Sequence, residues 1–265
     1  VLGALAPGAD PGVPPTPEGY RHVRLFSPWR YNIDAAARRL LERAGWTSPP
    51  GEAMPTAGER LICYLAPLAA VPALARSIRF GHRVTAITRE GFDKAKSAGR
   101  EDAPFVIRAQ APQGETEWRA WAVLDATGTW GTPNPLGANG LPAPGEREAA
   151  AHIAYGMPDI LGRDRARYAG RRVMVAGAGH SAAGRLIALS ELAEADSGTR
   201  IVWTTRGRRL DRVFGGGEND GLPARGALGT RLRQLVETGR LELVAGFKTT
   251  AVRREGASLA VDGVR

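Results

Sequence analysis

Chemistry in this sequence gathers around glycines. The segment Val173-Met-Val-Ala-Gly177-Ala-Gly179-His180-Ser181-Ala182-Ala-Gly184 runs from a short apolar stretch through Gly177-x-Gly179-x-x-Ala182 into an apolar-periodic region. The spacing predicts strand, tight turn and helix in immediate succession. In such a turn the first glycine permits the sharp reversal and the second lets a pyrophosphate approach the main chain. A small third residue lets helix and strand close on each other. Phosphate oxygens then meet unpaired amides at the positive end of the helix dipole. Gly177, Gly179, His180, Ser181 and Ala182 are therefore the candidate dinucleotide-binding residues.

The type of dinucleotide is read about 20 residues further on, at the end of the next strand, where an acid suits a free ribose 2′-hydroxyl. Here the strand Ile201-Val-Trp-Thr204 ends in Thr205-Arg206-Gly-Arg208-Arg209, with three guanidiniums and no acid. Charge-assisted bonds from arginine to a 2′-phosphate are worth about 1.5–3 kcal/mol. Thr205 and Arg206 join the candidate set, with NADP(H) preferred over NAD(H). A solvated arginine cluster on a loop is the competing reading.

A second segment, Trp121-Ala-Val-Leu-Asp125-Ala-Thr127-Gly128-Thr-Trp130-Gly-Thr-Pro133-x-Pro135, reads as a buried strand ending in small residues that permit close approach of a ligand to the backbone. Two rivals share the first segment's letters or context. Gly179-His180-Ser181 approximates a hydrolase nucleophile elbow, but the four histidines are His22, His82, His152 and His180, and none follows Ser181 as that chain order requires. No tyrosine is followed four residues later by lysine, and no phosphate-binding Gly-Lys-Ser/Thr loop occurs.

Composition narrows the field further. The 265 residues suit one large domain or two ordinary ones. A single cysteine, Cys63, removes any internal disulfide, dithiol relay or thiolate zinc site, and is expected to be a buried bystander in a helix. No metal site is expected. The net charge of +9 is carried by arginines interleaved with acids, since the lysines are Lys94, Lys96 and Lys248 alone. This argues against a phosphate-tracking nucleic-acid surface. No membrane span or signal segment is expected, and the protein reads as cytoplasmic. Because the chain opens at Val1 and stops at Arg265 after an extended pattern, it reads as a fragment.

The elements that must hold these residues follow from periodicity and breakers. Residues 1–19 read as loop. A helix is expected over Ile33–Trp46, capped by Asn32 or Asp34, and another from Thr56, with a capping box to Glu59 and limits at Pro67 and Pro72. Strands are expected at Arg83–Thr88, Phe105–Ala109 and Trp118–Asp125, as a meander. A Gly/Pro/Asn-rich linker covers residues 128–145. Beyond it come strand Arg172–Val175, helix Ser181–Ala193, strand Ile201–Thr204, helix Ala227–Glu237 and strand Leu241–Val244, an alternation that implies a parallel sheet. Arg83-Val-Thr-Ala-Ile-Thr-Arg-Glu-Gly91 also echoes Lys248-Thr-Thr-Ala-Val-Arg-Arg-Glu-Gly256, as two related modules would; chance similarity between arginine-rich hairpins is the alternative.

Three segments together carry a resemblance: Val23-Arg-Leu-Phe-Ser27-Pro-Trp29-Arg-Tyr-Asn32, Leu124–Pro135 and Gly177–Ala183. They resemble the FAD- and NADP-using oxidoreductases with two dinucleotide-binding domains, the group of flavin-containing monooxygenases and pyridine nucleotide-disulfide reductases, and among these the bacterial cation-efflux-associated flavoproteins. The resemblance covers roughly residues 20–263. It implies an α/β fold, with a Rossmann-like three-layer NADP(H)-binding domain (151–246) inserted in an incomplete FAD-binding domain with a β-meander (1–150, resumed at 247–265). The first glycine fingerprint would precede residue 1, and the last FAD-contacting strand would follow Arg265. It implies FAD near Ser27, Trp29, Asn32, Val84, Thr127 and Gly128, and hydride transfer from NADPH to that flavin, followed by monooxygenation or reduction of a small molecule. His152 approximates a monooxygenase motif with shortened spacing. Catalytic side chains, substrate and oligomeric state stay open. The alternative from the binding class is an NADP(H)-binding module without turnover.

Overall fold

The computed structural model describes residues 18–128 and 132–265. Most of the opening Gly/Pro-rich stretch, and Thr129-Trp130-Gly131 of the second motif, lie outside the described residues. The chain divides into two compact units. One holds residues 28–129 with the stretch up to Arg21, and the other residues 130–265 with His22–Ser27.

In the first unit, a turn of helix at Trp29–Asn32 precedes the helix Ala35–Arg43, which starts two residues later than its periodicity suggests because Ile33 is extended. Asp34 is the cap: its carboxylate accepts from the amides of Ala36 and Ala37 at 2.8 and 2.9 Å. Those bonds, Ala37's foremost, hold the Asp34 carboxyl below its usual range. Ala37 and Leu41 then pack with Trp29, Ile33, Tyr64 and Val71. The expected capping box is present, Glu59 N donating to Thr56 Oγ1 at 3.0 Å and Thr56 N to Glu59 Oε2 at 2.6 Å. The helix runs on through a π-turn at Leu61–Leu65 and stops at Val71, whose ψ of +126° is non-helical, as the following Pro72 demands. Cys63 lies in that π-turn and is exposed, not buried as expected. The extra residue in the turn shifts the face that side chains present.

Strands β1 (Arg83–Arg89), β2 (Phe105–Ala111) and β3 (Gly114–Ala120) form an antiparallel meander in that order. The third strand is not where apolar character placed it. Its ladder ends with Phe105 opposite Ala120. One step further the partner would be Pro104, which has no N–H to offer. Trp121–Gly128 therefore leaves the sheet, with Trp121 77% and Leu124 95% exposed.

The second unit contains the expected alternation. Strands β4 (Arg172–Ala176), β5 (Arg200–Thr205) and β6 (Glu242–Ala245) form a parallel sheet in that order. The helices His180–Ala195 and Pro223–Glu237 connect them and pack against one another. Leu186, Leu189, Leu192 and Leu232 meet Val175, Ile201 and Trp203 in one apolar core. A hairpin follows, β7 (Lys248–Glu255) with β8 (Ser258–Val264).

The linker before β4 is organised by one acid. Glu146, 1% exposed, accepts from the amides of Leu136 (2.8 Å), Gly137 (3.3 Å) and Ala143 (2.7 Å), and from the Tyr155 hydroxyl. Burial alone would raise the Glu146 carboxyl, but the four donors outweigh it and hold it below its usual range. Burial and the same contact push Tyr155 up to about 12. Replacing Glu146 with Ala leaves these donors without a partner and is expected to cost about 3 kcal/mol in urea unfolding at neutral pH. Because the folded-state pKa is depressed, the carboxylate's contribution is complete above the ordinary glutamate range and disappears as pH falls through the folded value. The gap between wild type and Glu146→Ala, measured by the same unfolding curves, should shrink over that acid window.

Candidate functional site

The carboxyl end of β4 carries the site. Gly177 adopts φ +130°, a conformation that other residues rarely adopt, and Gly179 is the extended N-cap of a 16-residue helix and itself offers no side chain to the first amides. Gly177, Ala178, Gly179, His180 and Ser181 are all exposed, and a side chain built on Gly179 would meet nothing within 4 Å. The bend is thus bare, exposed main chain at the positive end of a helix. Ala182 is buried, its methyl 3.8 Å from where a Gly177 side chain would begin, which is the close helix–strand approach that its small size allows. The His180 ring lies 5.2 Å from that of Phe26, tilted by 44°.

At the end of β5 the candidate residues separate. Thr205 is buried and its hydroxyl donates to the Gly207 carbonyl at 2.8 Å. Arg206 Nη2 reaches the linker, donating to the carbonyls of Pro135, Leu136 and Gly137 at 3.1, 3.4 and 2.7 Å. Arg209 pairs with Asp211 at 2.9 Å on the surface. Arg208 is exposed, lies along Gly246 at the end of β6, and joins no ion pair among the described residues. The three guanidiniums therefore stay near the strand's end with different commitments.

The connection from β5 to its helix is built rather than loose. Asp220, past the triple glycine Gly215–Gly217, accepts a fork from Arg225 (2.7–3.0 Å) and the amide of Leu222. The Arg225 bonds bring its carboxyl down to about 2.

The residues that the resemblance associates with flavin are distributed over both units. Ser27 belongs to the second unit and the others to the first. Trp29 is a core residue, 4% exposed. Asn32 Nδ2 donates to the Pro28 carbonyl at 2.9 Å. Val84 is half-buried on β1 beside a register shift. Thr127 turns inward on its own loop, its amide and hydroxyl donating to Asp125 Oδ1 at 3.0 and 2.7 Å, and Gly128 follows with φ +71°. An apolar groove of about 480 Å³ in that unit, lined by Leu41, Trp46, Pro67 and Val71 among others, includes none of them. His152 is exposed at the end of a short 3₁₀ turn.

One site residue escaped the sequence reading. Trp203, in the middle of β5, is fully buried and its indole Nε1 donates to the Gly177 carbonyl at 2.7 Å. The available signal was the residue type: a tryptophan inside a buried strand must find an acceptor for its N–H. Among the described residues no cluster of His, Cys, Asp and Glu could hold a metal, and no helix is long and apolar enough to cross a membrane.

No protein-family model and no curated protein sequence matches the chain. Solved structures do. Bacillithiol disulfide reductase Bdr from Bacillus cereus aligns at TM-score 0.54 and 16% identity over 92% of this chain and 63% of its own. The Staphylococcus aureus bacillithiol disulfide reductase gives 0.57 and 12% over 92% and 61%. DfoA, an FAD-bound cadaverine monooxygenase from Erwinia amylovora, gives 0.50 and 13% over 96% and 64%. The chain thus spans a little over three fifths of the length of these structures. Its fold is similar to that of these two bacillithiol disulfide reductases and of DfoA.

Proposed function

We propose that this chain binds NADP(H) at the Gly177–Ala182 turn as the nicotinamide-nucleotide domain of a flavin-dependent oxidoreductase. The observation that carries the reading is the open, uncapped glycine turn at the carboxyl end of a parallel strand. There the amides at the head of the helix His180–Ala195 offer donors to a pyrophosphate, and the helix dipole adds a fixed partial positive charge. Ala182 keeps the helix close enough for those donors to converge. Arg206 and Arg208, at the end of β5, supply cationic partners for a 2′-phosphate. When bound, the nicotinamide supplies a hydride, and the protein's share of the work is holding and orienting it.

For flavin the described residues do not fit a complete bed, since Trp29 is committed to a core and Thr127 to its own turn. The same observation favours a second reading, a nucleotide-binding module without turnover. A visible-absorbance spectrum of the purified chain, with an assay of flavin-dependent NADPH oxidation, separates the two. Yellow protein that oxidises NADPH removes the module reading, whereas colourless protein that still quenches NADPH fluorescence supports it.

The cofactor preference has its own test. Replacing Arg206 or Arg208 with Ala is expected to weaken NADPH binding by about 10- to 100-fold while leaving NADH nearly unchanged, as the loss of one charge-assisted pair predicts. Fluorescence titrations of both nucleotides check this. An unchanged NADPH-to-NADH ratio in both variants would remove the arginines from the phosphate site.

A further inference from the structure

We infer that Trp203 is the positioning residue of the dinucleotide turn, aiming the Ala178 amide into the pyrophosphate site by gripping the carbonyl on the other side of the same peptide plane. This rests on the nucleotide-binding reading of the turn and adds to it a residue that touches no ligand.

The geometry follows from peptide planarity. The carbonyl of Gly177 and the N–H of Ala178 belong to one trans peptide and point in opposite directions. The Gly177 carbonyl is drawn inward by the Trp203 indole N–H at 2.7 Å, so the Ala178 N–H is directed away from the core. The preceding peptide is fixed as well, because the Gly177 amide donates to the Thr204 carbonyl at 2.9 Å. Two adjacent residues of β5 thus hold both peptide groups that flank the first glycine. Glycine at φ +130° can rotate more freely than any other residue, so without these bonds the turn would sample several orientations. A preorganised donor binds better than one that must be ordered on binding.

Trp203 is suited to the task because it cannot itself move. Its ring is fully buried among Val175, Ile201 and the leucines of the helix His180–Ala195. It also meets the Phe214 ring edge-on, at 6.3 Å between centroids and 75° between planes. The Arg233 guanidinium covers Phe214 in turn, 5.2 Å from its ring centre. The indole is therefore a fixed post between the core and the turn.

The test separates the hydrogen bond from the packing. Trp203→Phe keeps an aromatic ring, and 3-benzothienylalanine at position 203 keeps the full indole shape, but neither has the N–H. Calorimetry with NADPH is expected to show affinity reduced by about 2- to 12-fold in both, the range that loss of one neutral hydrogen bond predicts. Binding of adenosine 2′-monophosphate, which does not reach the turn, should be unchanged. Amide hydrogen exchange in the ligand-free proteins should be faster at residues 177–181 and unchanged in β4 and β5. Equal NADPH affinity of the wild-type and benzothienylalanine proteins would overturn the assignment to Trp203 while leaving the site in place. Failure of the wild-type chain to bind NADPH at all would instead overturn the functional reading on which it rests.

Discussion

The main chain at Gly177 and Gly179 must be bare, and must be held bare, for the second unit to offer a ligand anything. A side chain at Gly177 is disfavoured by φ, and one at Gly179 would occupy space that is otherwise empty. Bareness has a cost, because an uncapped helix end leaves amides without partners and a glycine turn is free to reorient. The surrounding fold offsets both. Thr204 and Trp203 fix the peptides flanking Gly177, and the leucines on the buried face of the following helix fix that helix to the sheet. The exposed polar surface of the turn is thus the counterpart of a tightly filled interior.

The linker ahead of the parallel sheet solves the opposite problem, since Gly137 and its neighbours carry backbone groups into a region with little water. Their amides go to Glu146 and their carbonyls to Arg206. One strip of main chain is satisfied from two sides by two opposite charges that need not touch each other. Arg206 stands just past the end of β5, so the carboxyl end of the central strand of the parallel sheet and the linker share a side chain. If a 2′-phosphate recruits that guanidinium, the carbonyls of residues 135–137 lose the Arg206 donor, Gly137 keeping the Gly140 amide, and the energy of the linker becomes part of the energy of binding.

Local signals were legible in the sequence and nonlocal ones were not. The turn and its flanking strand and helix, the capping box of Thr56 and Glu59, and the break before Pro72 each depend on residues a few positions apart, and each stands where the sequence places it. The third meander strand failed because its end is set by Pro104, just ahead of the neighbouring strand β2, not by its own apolar residues. Cys63 failed because a π-turn is not encoded in a 3.6-residue repeat. The commitments of Thr205, Arg206 and Trp203 were invisible because each partner lies outside the motif or in the backbone itself. Residue type identified a chemical neighbourhood, while the direction of each donor needed the fold.

The echo between the two strand pairs shows how far such local reading can extend. Arg83-Val-Thr-Ala and Lys248-Thr-Thr-Ala both open an antiparallel pair, and both ladders shift register at the same step, between Val84 and Ala86 and between Thr249 and Ala251. The skipped residue is threonine in each, and the glycines that close the echo, Gly91 and Gly256, share positive φ values of +72° and +61°. A bulge re-aims the side chains around it and sharpens the local twist. A shared residue at a shared bulge is more than two arginine-rich hairpins need have in common, because base composition does not fix where a ladder slips. Val84, one of the positions that the resemblance places near FAD, is the residue immediately before one of these slips. Its orientation is therefore set by the bulge, and the equivalent post in the second hairpin is Thr249, which is buried and lends its carbonyl to Ala138 of the linker. The same backbone device thus serves a half-buried apolar residue in one unit and a structural anchor in the other.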